Sequence, residues 1–265
     1  MYPYPLFWEI DLYTIFLCVG IIGAILSFRL LADKIKIHWR VQNFVVLVAF
    51  ASIIVGYFSA VLFQAFYDIE SRGKFIIDTQ TGATFYGGLI GGAACFLALY
   101  FGIGKFVFKE KEHIESFFSV ADIAAAAIAV AHAFGRIGCL MAGCCHGKIV
   151  DAWYAVYMPA VRAKAVPIQL YEAIFLFALF AFFVIRVLKR SSCNLSLYMA
   201  LYGIWRFFIE YFRTDDRGTT FIKFLSPSQL TAIIMIIGAI ALFFLQKALE
   251  KKKTVRDTCD AKMGE

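Results

Sequence analysis

The sequence predicts an all-α integral membrane protein built as a seven-transmembrane-helix bundle. Apolar residues of the set AVILMFWYC make up 62% of the 265 residues and charged residues only 17%, whereas about a quarter of a soluble domain is charged. Mean hydropathy is +0.75. The apolar residues fall into seven runs of about 18–25 residues, the length that a helix needs to cross a bilayer. This arrangement fits a single membrane domain over residues 1–265.

The seven predicted crossings are connected alternately by short inner loops and by longer outward-facing segments. They cover residues 13–32, 43–66, 84–108, 117–136, 168–188, 195–212 and 229–249. The fourth run is the least apolar, because it contains Asp122, His132 and Arg136. The longer segments are 67–83, 143–167 and 213–228, and long loops on a rigid scaffold often carry function.

The distribution of basic residues predicts the orientation. The loops after the first, third and fifth crossings, together with the C-terminal tail, hold 16 of the 26 Lys and Arg residues. Cytoplasmic loops are the richer in Lys and Arg, so we expect the N-terminus outside, the C-terminus inside and a cytoplasmic tail over residues 250–265. The net charge of +7 is then a topology signal. No recognition helix or RNA-binding motif accompanies it, and we expect no nucleic-acid partner.

The sixth predicted crossing carries ionisable side chains on one face. Tyr202, Arg206 and Glu210 are spaced by four residues, which places them on the same side of a helix. Charges within a membrane segment are costly, and apolar residues hold helices together without that cost. We therefore interpret these residues as functional. The alternative is that Arg206 and Glu210 only neutralise each other.

The fourth crossing ends with a second arginine. His132 and Arg136 share a helix face, and Gly135 and Gly138 let backbone or ligand approach closely. The planar guanidinium group suits a pair of phosphate oxygens. A single arginine here is also explained as an anchor to the membrane boundary. Two arginines near the outer face, Arg136 and Arg206, instead predict a clamp for an anionic head group.

The third crossing begins with paired glycines. Gly87 and Gly91 are four residues apart, as are Gly88 and Gly92. Small residues at this spacing let two membrane helices pack closely. The pattern alone predicts helix packing and no more.

The fifth crossing begins with polar side chains after Pro167, a residue that suits a helix start. Gln169 and Glu172 lie one turn apart at the predicted outer boundary. A carboxylate near a helix N-terminus is stabilised by the helix dipole, and this is the simplest explanation for Glu172 taken alone.

A cysteine-rich segment follows the fourth crossing, with Cys139, Cys144, Cys145 and His146. Thiolates and imidazoles bind zinc, but the spacing lacks a paired C-x-x-C pattern, so we expect no metal and no cofactor. A disulfide from Cys139 to Cys144 or Cys145 is plausible on an oxidising side of the membrane. Packing of free cysteines is an equal alternative.

Taken together, these segments resemble the prolipoprotein diacylglyceryl transferase family over nearly the whole chain. Asp122 and Gln229 also match its pattern, and the matching motifs are Tyr86-Gly87-Gly88-Leu89-Ile90-Gly91, Gly135-Arg136-Ile137-Gly138, Gln169-Leu170-Tyr171-Glu172 and Tyr202-Gly203-Ile204-Trp205-Arg206-Phe207-Phe208-Ile209-Glu210. The resemblance implies a multi-pass transferase of the bacterial cytoplasmic (inner) membrane with its active site toward the outer leaflet. It also implies phosphatidylglycerol as donor, the lipobox cysteine beside a prolipoprotein signal peptide as acceptor, and glycerol phosphate as the released product.

The resemblance also implies roles for individual residues. The leaving phosphate must be stabilised and the acceptor thiol must lose its proton. His132 titrates near neutral pH and suits the proton, while Tyr86 is a hydrogen-bond donor. The predicted catalytic residues are Arg136, Arg206, Glu210, His132 and Tyr86. The predicted substrate-binding residues are Tyr202, Gly87, Gly88, Gly138, Gln169, Tyr171, Glu172 and Tyr13.

Several positions depart from the family pattern. Tyr86 and Val166 stand where the family usually has histidine, Cys139 stands where it has asparagine, and Ala142-Gly143-Cys144 replaces Asn-Gly-Glu. The chain therefore resembles a cysteine-rich, Gly-Cys-Cys branch. Two alternatives remain open: a relative that uses another lipid donor or thiol acceptor, and a thiol-redox membrane protein.

Overall fold

The computed structural model describes residues 4–6, 10–69, 73–78, 81–82, 84–109, 112–159, 161–213 and 225–263, with backbone alone at 85–86 and 253–263. Within these ranges the regular structure is helical, as predicted, except for one small hairpin that the sequence analysis did not predict. The helices are α1 Leu12–Lys34, α2 Trp39–Tyr67, α3 Phe85–Gly102, α4 Gly104–Val107, α5 Glu112–Ala142, α6 Ile168–Leu188, α7 Asn194–Ile209 and α8 Pro227–Met263. The antiparallel strands are β1 Val156–Met158 and β2 Ala163–Ala165, and a 3-10 turn, Glu210–Phe212, follows α7.

Six segments of the described chain are long and apolar enough to cross a membrane. They are Leu12–Lys34, Trp39–Tyr67, Gly87–Val107, Glu112–Ala142, Ile168–Leu188 and Pro227–Lys252. The chain is thus a multi-pass membrane protein. The sixth predicted crossing corresponds to α7, which has 16 residues. At 1.5 Å per residue it is about 24 Å long, shorter than the hydrocarbon core.

Local chemistry explains where individual helices begin and end. The Asp11 side chain caps α1 by accepting the Thr14 N–H at 2.8 Å, and this bond holds the pKa of Asp11 below its usual value. Helix α5 ends at Gly143, which has a φ of 72°. The Gly143 N–H then reaches the Leu140 carbonyl at 3.1 Å, and the Cys144 N–H reaches the Cys139 carbonyl at 3.2 Å. These two bonds form a Schellman cap, which folds the chain back over the last turn of α5.

The chain divides into two compact units, residues 36–117 and residues 1–35 with 118–265. In the first unit α2 and α3 pack through their glycines. A Cβ on Gly56 would lie 3.0 Å from the Gly88 carbonyl oxygen, and one on Gly91 would lie 2.3 Å from Ser59 Oγ. The close packing predicted from the glycine spacing is therefore present.

The second unit contains α1, most of α5, and α6 to α8. Small residues again permit close approach of helices. Four alanines of α5 are fully buried, namely Ala125, Ala126, Ala129 and Ala133. A Cβ on Gly20 of α1 would lie 2.9 Å from the Ala131 carbonyl oxygen, and one on Gly203 of α7 would lie 3.1 Å from that of Ala232.

A buried polar network surrounds Asp122, the one acidic residue of the fourth predicted crossing. Asp122 of α5 accepts the backbone N–H of Asn194 at 2.6 Å and the Gln246 side chain at 3.2 Å. Arg186 donates to the Asn194 side chain at 2.7 Å. Asp122 therefore satisfies a free N–H at the start of α7, and its role in the described structure is that of a helix cap.

Candidate active site

A single buried carboxylate joins three helices at the C-terminal end of α5. Glu172 of α6 has a fully buried side chain, and its Oε2 lies 3.1 Å from Arg136 Nε of α5. The Tyr202 hydroxyl of α7 donates to Glu172 Oε1 at 2.7 Å. Arg136 also reaches the Tyr202 oxygen at 3.4 Å. Glu172 is therefore the partner of Arg136, beyond the interaction with its own helix dipole that the sequence suggested.

His132 lies one turn before Arg136 and contacts two tyrosines of α7. Its Nδ1 is 3.1 Å from the Tyr198 hydroxyl oxygen, and its Nε2 is 3.4 Å from that of Tyr202. The predicted shared face of His132 and Arg136 thus points to one set of partners. Tyr198 was missed by the sequence analysis, although it stands one turn before Tyr202 in the same four-residue spacing.

A second ion pair runs along α7. Arg206 Nη2 lies 2.8 Å from Glu210 Oε2, as the four-residue spacing predicted, and the same nitrogen donates to Ser228 Oγ at 2.8 Å. The Ser226 hydroxyl donates to Glu210 Oε1 at 3.0 Å, and Arg213 Nε is 3.9 Å from Glu210 Oε2. The two serines precede and begin α8, where serine is an ordinary capping residue, so nothing in the sequence marked them for this site.

The two arginines belong to one electrostatic cluster. Tyr202 links the two, because its hydroxyl accepts from Arg136 and donates to Glu172, and it lies one turn before Arg206 on α7. Arg206 is 7% exposed, and its Nη1 is buried without a hydrogen-bond partner in the described part of the chain. The arrangement is thus suited to hold one anionic group.

Other predicted substrate-binding residues surround this cluster. Gln169 is buried and its amide donates to the Cys144 carbonyl oxygen. Tyr171 is half-buried beside Glu172. Tyr13 of α1 covers Gly138, since a Cβ there would lie 3.2 Å from the Tyr13 carbonyl oxygen. These positions lie at the C-terminal end of α5 or at the start of the helices around it.

Three predicted site residues belong to the unit of residues 36–117. The Tyr86 side chain lies outside what the structure describes. Gly87 and Gly88 face α2, and a Cβ on Gly87 would lie 2.6 Å from Phe63 Cβ. Their observed role is helix packing, and a substrate contact at these positions stays a prediction.

The cysteine-rich segment brings three thiols together beside Arg213. The sulfur atoms of Cys139, Cys144 and Cys145 all lie within 4.8 Å of one another, and all three cysteines are free. Hydrogen bonds from the Cys139 and Cys144 thiols and from the Arg213 guanidinium hold the pKa of Cys145 well below its usual value. Hydrogen bonds with the Cys139 and Cys145 sulfurs raise the pKa of Cys144. His146 lies apart from the three sulfurs, with its Nδ1 2.9 Å from the Gly147 carbonyl oxygen.

Comparison with known proteins identifies one family. A sequence model of the family described as prolipoprotein diacylglyceryl transferase matches residues 4–245. A similar protein of Clostridium perfringens (strain 13 / Type A), named phosphatidylglycerol–prolipoprotein diacylglyceryl transferase 2, is 35% identical over 184 residues, which cover 67% of each chain.

Two further relatives carry the name phosphatidylglycerol–prolipoprotein diacylglyceryl transferase. The protein of Clostridium tetani is 29% identical over 247 residues, which cover 89% of this chain and 92% of the relative. The protein of Hydrogenovibrio crunogenus is 32% identical over 224 residues, which cover 79% of this chain and 80% of the relative. The similarity therefore extends over most of both chains.

Proposed function

The chain belongs to the prolipoprotein diacylglyceryl transferase family, and from this premise we propose that it moves the diacylglyceryl group of phosphatidylglycerol onto the lipobox cysteine of a prolipoprotein. The observation that carries the proposal is the pair of buried arginines on different helices, Arg136 held by Glu172 at 3.1 Å and Arg206 held by Glu210 at 2.8 Å. Tyr202 connects them, because it contacts Arg136 and Glu172 and lies one turn before Arg206. A donor with a phosphodiester head group presents anionic oxygens, which a buried guanidinium N–H group such as Arg206 Nη1 is suited to bind.

The reaction exchanges one bond for another at the donor's glyceryl carbon. The acceptor sulfur, as a thiolate, attacks that carbon, the carbon–oxygen bond to the phosphate breaks, and glycerol phosphate leaves. Negative charge grows on the phosphate oxygens as the bond breaks. Two fixed guanidinium groups stabilise that charge more strongly than they stabilise the donor itself, which is the requirement for accelerating the step.

The remaining residues of the cluster position the two arginines and handle the proton. Glu172 and Glu210 each hold one guanidinium group by a direct ion pair. Tyr202 fixes the Glu172 carboxylate through its hydroxyl hydrogen bond. His132 is the proposed acceptor of the thiol proton, and its two ring nitrogens lie 3.1 Å from the Tyr198 hydroxyl and 3.4 Å from the Tyr202 hydroxyl of the cluster. We keep Tyr86 as a proposed hydrogen-bond donor to the substrate.

Substrate contacts are proposed for the residues that border the cluster. Tyr13, Gly138, Gln169 and Tyr171 lie next to the cluster in the same unit and are proposed to line the path of the lipid or the acceptor peptide. We propose the same for Gly87 and Gly88, on the strength of their place in the family motif.

We propose seven crossings of the bacterial inner membrane, with the N-terminus outside, the C-terminus and residues 250–265 inside, and a single membrane domain with outward-facing loops. Helix α7 together with the turn Glu210–Phe212 is proposed as the crossing that adds to the six long apolar segments, and the basic residues support the orientation. A reporter enzyme that works only in the cytoplasm should be active when it is fused after Lys252. Activity of a periplasmic reporter at that point would overturn the orientation.

The function is tested by adding the purified protein to vesicles containing phosphatidylglycerol and a synthetic lipobox peptide. Mass spectrometry should show the peptide gaining one diacylglyceryl group on its cysteine. A peptide with serine in place of that cysteine should gain nothing, and so should the cysteine peptide with phosphatidylcholine as the sole lipid. Transfer from another lipid, or onto a small thiol in preference to the peptide, would redirect the assignment to a family relative with a different substrate.

A further inference from the structure

The three cysteines at the end of α5 are brought together by the backbone. The Schellman cap at Gly143 turns the chain so that the Cys144 sulfur lies 3.6 Å from the Cys139 carbonyl oxygen. Cys145 follows with a φ of 61°, a conformation that is costly for any residue other than glycine. Strained backbone of this kind persists where the surrounding structure holds it, and it is concentrated at functional sites.

The separation of the sulfur atoms matches the size of a metal site. Three sulfurs bound to one zinc ion at about 2.3 Å in tetrahedral geometry are about 3.8 Å from one another. The three sulfurs here already lie within 4.8 Å of one another, so small side-chain rotations bring them to that distance. Spacing along the sequence concealed this, because Cys139 and Cys145 come from opposite sides of a helix cap and not from a paired C-x-x-C turn.

We propose that Cys139, Cys144 and Cys145 bind one Zn²⁺ ion, and that the fourth position of this ion takes the acceptor thiol. The second half of the proposal rests on the proposed function, since it assumes a thiol acceptor. Structural zinc sites have four protein ligands, whereas three protein ligands leave the open position that catalytic sites use. Within the described residues, the group of closely placed ligand atoms contains these three sulfurs only.

The surroundings of the cluster suit such an ion. Three thiolates and one Zn²⁺ carry a net charge of −1, and the Arg213 guanidinium beside Cys145 offsets it. Cys144 is exposed, which gives an ion and an acceptor peptide access from outside the helices. Arg136 precedes Cys139 by three residues on α5, about 4.5 Å along the helix axis. The ion therefore lies next to the proposed phosphate clamp.

The ion's part in the reaction is to hold the acceptor thiol as a thiolate, which is the nucleophile. A thiol that coordinates zinc does so as the thiolate, so its S–H bond breaks on binding, and in this route the proton is released to water at the exposed Cys144 and not to His132. The bound sulfur then forms the bond to the glyceryl carbon while the carbon–oxygen bond to the phosphate breaks. The thioether product is neutral and a weaker ligand, so it leaves the ion, and the step needs no oxidant or reductant.

The test begins with metal content. The full-length protein, purified under reducing conditions and incubated with Zn²⁺, should retain one zinc ion per chain after gel filtration. Cys139→Ser, Cys144→Ser and Cys145→Ser should each lose it, whereas Cys18→Ser and Cys95→Ser, which change cysteines outside the cluster, should keep it. X-ray absorption should find three sulfur ligands, and a fourth after addition of the lipobox peptide.

Activity measurements then distinguish a failure of the zinc site from a failure of the proposed transferase function. Removing zinc with a chelator should lower lipid transfer by about 10²-fold or more, with recovery when Zn²⁺ is returned. Full transfer by the zinc-free protein or by the triple serine variant would overturn the inference and leave the proposed function intact. A zinc-loaded protein that transfers no lipid would overturn the proposed function. Failure to retain zinc would also overturn the inference. So would a disulfide between two of the three cysteines, found in protein that was purified without reductant and that does not take up zinc.

Discussion

The two ion pairs of the candidate site are built in different ways. Arg206 of α7 and Glu210, the first residue of the turn that follows it, are four residues apart, and their contact at 2.8 Å follows from helix geometry. Arg136 and Glu172 lie on α5 and α6, and their contact at 3.1 Å exists only because those helices pack together. The Glu172 side chain is fully buried, whereas that of Glu210 is 10% exposed.

This difference separates local from tertiary electrostatics. The Arg206–Glu210 pair depends on the four-residue helical spacing. Ser228 also contacts Arg206, and Arg213 also contacts Glu210. The pair between α5 and α6 also engages Tyr202 of α7, so it ties three helices to one carboxylate. We therefore expect the pair between helices to contribute more to folding, and both arginines to contribute to lipid transfer.

The largest expected effect comes from neutralising the buried carboxylate. Glu172→Gln leaves Arg136 without an anionic partner in the interior, which should cost about 3–5 kcal/mol of folding stability. Glu210→Gln should cost less, about 1–3 kcal/mol, because Arg206 keeps its hydrogen bond to Ser228. Thermal unfolding in detergent measures both, with Glu115→Gln in an exposed position as the control. If Glu210→Gln lost as much folding stability as Glu172→Gln, or more, the contact between helices would not contribute more to folding than the local pair.

The next effect concerns catalysis. Arg136→Lys and Arg206→Lys should each lower lipid transfer by about 10²–10³-fold, since an ammonium group cannot reproduce the two-pronged guanidinium contact with a phosphate. The loss should appear mostly in kcat, because the contact strengthens as the leaving phosphate gains charge. Arg136→Lys should be the more severe, since it also gives up the fork that reaches Glu172 and Tyr202.

Steady-state transfer assays at matched amounts of folded protein decide the matter, with Arg40→Lys at an exposed position as the control. Near-normal rates in both lysine variants would rule out a phosphate clamp. A loss confined to one variant would assign the phosphate to that arginine alone and make the other pair structural.

The smallest effect tests how Glu172 is held. Tyr202→Phe removes the hydroxyl that donates to Glu172 at 2.7 Å and should cost about 1–3 kcal/mol, with a parallel loss of transfer. Tyr198→Phe removes only the hydroxyl contact to His132 and should cost less, because His132 still has its contact to the Tyr202 hydroxyl. Tyr57→Phe, on an exposed part of α2, is the control for both thermal unfolding and activity. A larger loss for Tyr198→Phe would mean that His132, and not Glu172, is the centre of the network.

The sequence by itself determined the features that depend on neighbours within one or two helix turns. The crossings follow from runs of apolar residues, the Arg206–Glu210 contact from the four-residue helical spacing, and the α2–α3 contact from glycines that admit a close backbone. Each of these rests on the fixed 3.6-residue period of a helix or on side-chain size, which are properties of the local chain. The family motifs are local in the same sense.

Only the tertiary structure decided which helix faces meet. Glu172 pairs with Arg136, Ser228 contacts Arg206, and the Cys145 sulfur reaches that of Cys139 across a helix cap. Helical spacing specifies which face a residue lies on, but the rotation and neighbours of each helix depend on the packing of all the others. The partner of a buried charge is therefore chosen by that packing.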